Sequence, residues 1–245
     1  MFFLNVIIFC LISVIGLFAS YFISYKFDVF DYPDKKKIHS IKTPNIGGIA
    51  IILLLITSII IYNYSSEQIL ICLLSISVII IGFIDDLKNF KAGTKLLLIS
   101  IPVIFFIYNI SFIESLGSIA GYNLNLGNFG FFFTFMCMLL LINATNYMDG
   151  MDGLISLLSI FIFMGMLAFI PKNEWNLLIS IICFLIVFLF FNFGILPKQF
   201  LGDSGSLGIG FLLSAISIYY TQILKVIDPT IIIWFLSFYV YEFLT

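Results

Sequence analysis

The sequence contains little charge and no arginine. Only 10% of its 245 residues are charged, all 11 basic residues are lysines, and 62% of the residues are hydrophobic. Soluble domains typically contain about 45–50% apolar and about 25% charged residues. The composition therefore excludes a cytosolic enzyme, a nucleic-acid-binding protein and a disordered chain. The net charge of −2 is too small to indicate an acidic or basic partner.

The sequence also lacks a metal-binding pattern of cysteine and histidine. Cys10, Cys72, Cys137 and Cys183 each lie alone inside an apolar run, and His39 is the only histidine. Zinc sites built from these residue types need short, clustered spacings. We therefore interpret the four cysteines as small apolar packing residues.

What the sequence has instead is a series of apolar runs separated by polar clusters. Its mean hydropathy is +1.20, and a membrane-spanning helix needs about 20 mostly apolar residues. We predict an all-α fold, a polytopic helix bundle forming a single integral membrane domain over residues 1–245. The nine predicted transmembrane helices cover residues 2–25, 46–63, 68–84, 96–111, 130–146, 154–170, 176–192, 207–224 and 230–245.

The lysines give this arrangement an orientation. With nine spans, nine lysines fall on one side of the membrane, and only Lys172 and Lys225 fall on the other. The positive-inside rule places the nine in the cytoplasm and the N-terminus outside. Most acidic residues lie on the same cytoplasmic side, at span ends where a carboxylate costs less than in the hydrocarbon centre. The sequence therefore predicts a working face in the cytoplasm.

The first polar segment on that face is a basic loop. It contains three consecutive lysines ending at Lys37, then His39, and it closes on Gly47-Gly48. The glycine pair permits close approach of a backbone or a ligand. The loop is either a solvated positive-inside segment or an anion-binding loop.

The second segment carries the adjacent carboxylates Asp85 and Asp86, followed by Lys88, Lys91 and Lys95 at near-helical spacing. Two carboxylates held together near a membrane favour a neighbouring cation. Metal or phosphate chemistry is the sharper hypothesis, and an acid-capped helix end is the alternative.

The third segment repeats a polar residue at every third position, at Asn143, Asn146, Asp149 and Asp152. Residues three apart share a helix face, but over nine residues an ideal helix makes them fan out. A polar helix end followed by a turn is the alternative interpretation.

The fourth segment places Asp203 in a Gly/Ser turn before an apolar run, with Phe200 close by. Free backbone N–H groups at such a helix start favour phosphate. Phe200 is either an interfacial aromatic residue or a stacking platform for a base.

Together these oxygen ligands favour Mg²⁺ or Mn²⁺ over Zn²⁺. Carboxylates, lysines and glycine turns on a membrane indicate phosphoryl transfer between a soluble diphosphate and a lipid.

These four motifs, in this order, resemble the polyprenyl-phosphate N-acetylhexosamine-1-phosphate transferases, from about residue 26 to residue 245. The resemblance implies Mg²⁺-dependent transfer of HexNAc-1-phosphate, with GlcNAc-1-phosphate favoured, from a UDP-N-acetylhexosamine to undecaprenyl phosphate, with release of UMP. It implies a multi-pass protein of the bacterial inner membrane in cell-wall, teichoic acid or lipopolysaccharide synthesis. The implied partners are these two substrates and membrane lipid, without nucleic acid; a homodimer stays open.

The resemblance also implies roles for individual residues. Asp203 would be the main metal ligand and Asn146 a second one. Asp85 and Asp86 would lie beside the metal and the lipid phosphate. One of them would be the base that removes the proton of the lipid phosphate, a role that is disputed within the family. The remaining implied substrate contacts are Lys95 to the diphosphate, Phe200 to uracil, and Lys37, His39, Asn143, Asp149 and Asp152. Direct attack by the lipid phosphate is favoured over a covalent aspartyl intermediate.

The sequence departs from the family pattern in two places. Asn89 stands where a third acid is often found, and the chain stops before the family's His-rich loop. We therefore expect a chain that is C-terminally truncated relative to the family, and an inactive truncated member is an alternative. A transporter would place ionisable residues near the bilayer midplane. A CDP-alcohol phosphotransferase would carry an arginine in its signature.

Overall fold

The protein is a helix bundle in which each predicted apolar run forms a helix. The computed structural model describes residues 2–32, 42–119 and 122–244, and about 75% of these described residues are helical. The helices are α1 (Phe2–Phe27), α2 (Ile49–Ile61), α3 (Ser66–Lys88), α4 (Ala92–Asn109), α5 (Phe129–Tyr147), α6 (Leu154–Leu167), α7 (Trp175–Asn192), α8 (Gly202–Ile218) and α9 (Pro229–Leu244).

Six of these helices are long and apolar enough to cross a membrane. They are α1, α3, α4, α5, α7 and α8, the last two being extended by a 3₁₀ turn at Lys172–Glu174 and a π-helical turn at Tyr219–Ile223. The apolar helices α2, α6 and α9 are shorter, and the 13 residues of α2 rise only about 20 Å against a hydrocarbon core of about 30 Å. The chain is therefore a multi-pass membrane protein. The count of nine crossings and the orientation derived from it remain predictions.

The all-α prediction needs a small correction, because two short antiparallel sheets connect the helices. Strands β1 (Phe30–Asp31) and β2 (Thr43–Pro44) flank the basic loop. Strands β3 (Ser115–Ile119) and β4 (Tyr122–Asn125) form a hairpin between α4 and α5.

Helix α8 lies at the centre of the bundle, and every residue from Ser204 to Ile218 is buried. Its closest neighbours approach through glycines. A side chain at Gly82 of α3 would overlap the backbone of Asp203 and Ser204, and one at Gly208 would overlap Ile79. The C-terminal end of α3 is thus held directly against the first turn of α8, which brings Asp85 and Asp86 close to Asp203.

Candidate functional site

The adjacent carboxylates Asp85 and Asp86 point to different partners. Asp86 accepts backbone hydrogen bonds from the N–H groups of Asp203 (Oδ1, 2.9 Å) and Ser204 (Oδ2, 3.0 Å). The prediction of free N–H groups for phosphate at this helix start is therefore wrong for these two residues. Both N–H groups already donate hydrogen bonds to the Asp86 carboxylate of α3.

Asp85 instead pairs with a lysine of the next helix. Its Oδ1 accepts the Phe90 N–H at 2.6 Å, and its Oδ2 lies 2.9 Å from Lys95 Nζ. Between the two helices Asn89 adopts a left-handed conformation, with φ of 51°, which asparagine tolerates well. Asn89 thus forms the turn between α3 and α4 that brings Lys95 back to Asp85.

Lys95 is the centre of a cluster of three oxygen-bearing side chains. Its Nζ lies 2.6 Å from Asp203 Oδ2, 2.9 Å from Asp85 Oδ2 and 3.1 Å from Asn146 Oδ1. Asn146 Nδ2 donates to Asp203 Oδ1 at 2.7 Å and to Ser206 Oγ at 2.8 Å. We call Asp85, Lys95, Asn146 and Asp203 the acid–lysine cluster. It joins the ends of α3, α4, α5 and α8. Ser206, which was not among the predicted site residues, supports it through its hydrogen bond from Asn146.

The polar residues at the end of α5 separate as helical geometry requires. Only Asn146 enters the acid–lysine cluster, while Asn143 donates to the Leu139 carbonyl of its own helix at 2.7 Å. Desolvation raises the pKa of the Asp149 carboxyl well above its usual range, and the charges of Asp203 and Asp86 raise it further. The nearby Gly202 backbone N–H lowers the pKa of this carboxyl, but this effect is outweighed.

A second group of side chains lies around Phe200. Lys198 Nζ is 2.6 Å from Asp152 Oδ2 and 5.3 Å from the centre of the Phe200 ring. Lys198 was not among the site residues predicted from the sequence. Both ends of the ion pair are more than one third exposed, so ligand can reach them. We call Asp152, Lys198 and Phe200 the aromatic–ion-pair group.

The glycine pair of the first loop serves chain packing. Gly47 and Gly48 donate their backbone N–H groups to the carbonyls of Phe200 and Leu201, each at 2.9 Å. A Cβ atom at Gly47 would overlap the Phe200 carbonyl, and one at Gly48 would overlap the Gly205 backbone. Lys37 and His39, predicted in the same loop, lie outside the described residues.

The cluster fits a divalent cation that is completed by substrate. Among the described residues, no group of three or more His, Cys, Asp or Glu side chains forms a protein-only metal site. Nevertheless, carboxylate and amide oxygens from Asp203, Asp85 and Asn146 converge on one cation, the Lys95 ammonium. Mg²⁺ usually takes one or two carboxylates and fills its remaining positions with water and substrate phosphate. The donor set therefore suits Mg²⁺ better than a metal that needs a closed site.

An apolar cavity of about 500 Å³ lies between α5, α8 and α9. Its walls include Met138 and Leu141 of α5, Ile218 of α8 and Leu236 of α9. An apolar cavity of this kind suits a hydrocarbon chain.

Most of these side chains lie in the part of the chain that matches a known protein family. The profile described as Glycosyl transferase family 4 matches residues 68–221, which is more than half of the chain. The match includes all four residues of the acid–lysine cluster and all three of the aromatic–ion-pair group, but not Lys37 or His39. A comparison with curated proteins finds no match.

Proposed function

The chain belongs to glycosyl transferase family 4, the polyprenyl-phosphate sugar-1-phosphate transferases, and on this premise we propose its specific reaction. The proposed reaction moves N-acetylhexosamine-1-phosphate, with GlcNAc-1-phosphate expected, from a UDP-sugar to undecaprenyl phosphate. A lipid phosphate oxygen forms a bond to the sugar-linked phosphorus, the pyrophosphate bond breaks, and UMP leaves. The proposed setting is the bacterial inner membrane, at the first membrane step of a surface glycan.

The observation that carries this proposal is the convergence of Asp85, Asn146 and Asp203 on Lys95 at the junction of four helix ends. A phosphate oxygen is already a nucleophile at neutral pH, so the reaction needs alignment and charge stabilisation more than a strong base. Asp203 and Asn146 would hold Mg²⁺, with Asp85 beside it. The bound metal would neutralise charge on the diphosphate.

Lys95 would act on the diphosphate directly. Its ammonium lies within reach of both carboxylates and can move to a phosphate oxygen without leaving the cluster. A lysine acts on phosphate as a compact point charge, which does not require a fixed planar geometry. Asp85 would keep this ammonium oriented and would face the incoming lipid phosphate.

The other two features would bind the ends of the substrates. The Phe200 ring would stack on uracil, with Asp152 and Lys198 beside it. Asp149, which lies close to Gly202 at the start of α8, would line the same nucleotide site. The apolar cavity between α5, α8 and α9 would hold part of the polyprenyl chain. The acids of the cluster lie in the last turn of α3 and the first turn of α8, whereas a transporter would place them near the middle of a span.

The test is UMP release by the purified protein in detergent with undecaprenyl phosphate, Mg²⁺ and a panel of UDP-sugars. We expect transfer with UDP-N-acetylhexosamines, abolished in Asp203→Asn and by EDTA. Glu114→Gln, an equivalent acid-to-amide change at an exposed position near the β3–β4 hairpin, should retain full activity. Full activity of Asp203→Asn would contradict the proposal.

A further inference from the structure

Helix α8 begins without a cap of its own. The residue before its first turn is Leu201, whose side chain makes no capping hydrogen bond. The first N–H groups of any helix have no acceptor within the helix, and a short polar side chain just before the helix usually supplies one. Here the acceptor comes from α3, because the two oxygens of Asp86 receive the N–H groups of Asp203 and Ser204.

The surrounding backbone holds this arrangement closely. Gly82, one turn before Asp86, packs against the backbone of Asp203 and Ser204. On the other side, Gly202 has φ of +73°, and a Cβ atom there would overlap the Asn45 carbonyl. The first turn of α8 is therefore confined between α3 and the segment that leads into α2.

The contact with Asp86 also determines where the Asp203 side chain points. Its backbone N–H is held by Asp86, while its carboxylate contacts Lys95 and Asn146. A shift of the first turn of α8 would move that carboxylate away from both partners. Asp85 differs, because its Oδ2 itself contacts Lys95.

We propose that Asp86 is a positioning residue, which fixes the first turn of α8 so that Asp203 points into the acid–lysine cluster, and that it is neither the base nor a metal ligand. Both of its oxygens accept backbone N–H groups of α8, whereas the described contacts of Lys95 and Asn146 are with Asp85, Asp203 and Ser206. The role in turnover rests on the proposed function, but the capping role does not.

The experiment compares Asp86→Asn with Asp85→Asn in the full chain. Asparagine keeps the size of Asp86, but its amide nitrogen cannot accept an N–H, so one of the two capping bonds is lost. The amides of Asp203 and Ser204 have no acceptor within α8, and their hydrogen exchange therefore reports this cap directly. We expect faster exchange in the first turn of α8 for Asp86→Asn and unchanged exchange there for Asp85→Asn.

A substrate-free Mn²⁺ titration measures the effect on Asp203. Outer partners of metal ligands typically affect metal affinity by about 10- to 100-fold, so we expect Mn²⁺ to bind about tenfold more weakly to Asp86→Asn. High Mg²⁺ should then restore much of the kcat of Asp86→Asn, but not that of Asp85→Asn or Asp203→Asn.

Unchanged exchange and Mn²⁺ affinity, with kcat lost at every Mg²⁺ concentration, would overturn the proposal and make Asp86 a direct participant in the reaction. Unchanged exchange in Asp86→Asn would overturn it even without an activity measurement. If the wild-type protein transfers no sugar phosphate, the proposed function fails, but exchange and Mn²⁺ binding still decide the role of Asp86.

Discussion

Replacing Lys95 with methionine should make the protein bind a divalent cation more tightly while it loses turnover. The Lys95 ammonium lies 2.6 Å from Asp203 Oδ2 and 2.9 Å from Asp85 Oδ2, so it competes with a metal for the same oxygens. Methionine keeps the length and the apolar stem of the side chain but removes this competing charge.

The magnitude follows from the contact that must be broken. A hydrogen bond to a charged group contributes about 1.5–3 kcal/mol net, and 1.4 kcal/mol corresponds to about tenfold in an equilibrium constant. The Asp203 carboxylate is one third exposed, so we use the lower end of this range. We therefore expect the Mn²⁺ dissociation constant to fall by about tenfold in Lys95→Met.

The assay is a Mn²⁺ titration followed by electron paramagnetic resonance, on purified protein without UDP-sugar or lipid. Lys91→Met is the matched control, because Lys91 is exposed at the start of the same helix, and its affinity should stay within about twofold of the wild type. Turnover of Lys95→Met should fall by at least about 100-fold, because the ammonium is lost from the diphosphate. An unchanged or weaker Mn²⁺ affinity in Lys95→Met would refute the competition argument.

Three further predictions test other parts of the structure. Gly82→Ala should lower the free energy of unfolding by about 1–3 kcal/mol, because the added Cβ would overlap the backbone of α8. Gly93→Ala has open space around its Cβ position and should raise the free energy of unfolding by about 0.5–1 kcal/mol. Thermal unfolding in detergent measures both changes. Lys198→Gln should raise the KM for the UDP-sugar while leaving kcat and the Tm nearly unchanged, because an exposed ion pair contributes at most about 1 kcal/mol to stability; an unchanged KM would remove Lys198 from the substrate site. Asn146→Ala should lose at least about 100-fold in kcat, but Asn143→Ala less than about threefold, because only Asn146 contacts the acid–lysine cluster; equal losses would contradict this distinction.

The positions of the helices could be predicted from the sequence because each long apolar run has one stable solution in a membrane, the helix. The number of crossings could not be predicted, because α2, α6 and α9 are apolar but short, and apolarity alone does not decide whether a short helix spans the membrane. The β3–β4 hairpin was missed because its segment is short and lacks a clear alternation of polar and apolar residues.

The candidate site was predicted in part. The resemblance assigned Asp85, Lys95, Asn146 and Asp203 to one site, and the structure brings these four side chains together. Spacing alone could not separate Asn146 from Asn143, because each step of three residues in a helix turns the side chain by about 300°. The role of Asp86 was hidden for a different reason, since its partners are backbone N–H groups of residues more than 100 positions away.

The acid–lysine cluster also has a consequence for the order in which substrates bind. Two carboxylates and one ammonium give it a formal net charge of −1, although it must accept a diphosphate and a lipid phosphate that are both anionic. A phosphate approaching this surface alone is repelled at short range. A divalent cation reverses the sign to +1, so the charge balance favours a sequence in which the metal binds before the sugar nucleotide or arrives with it.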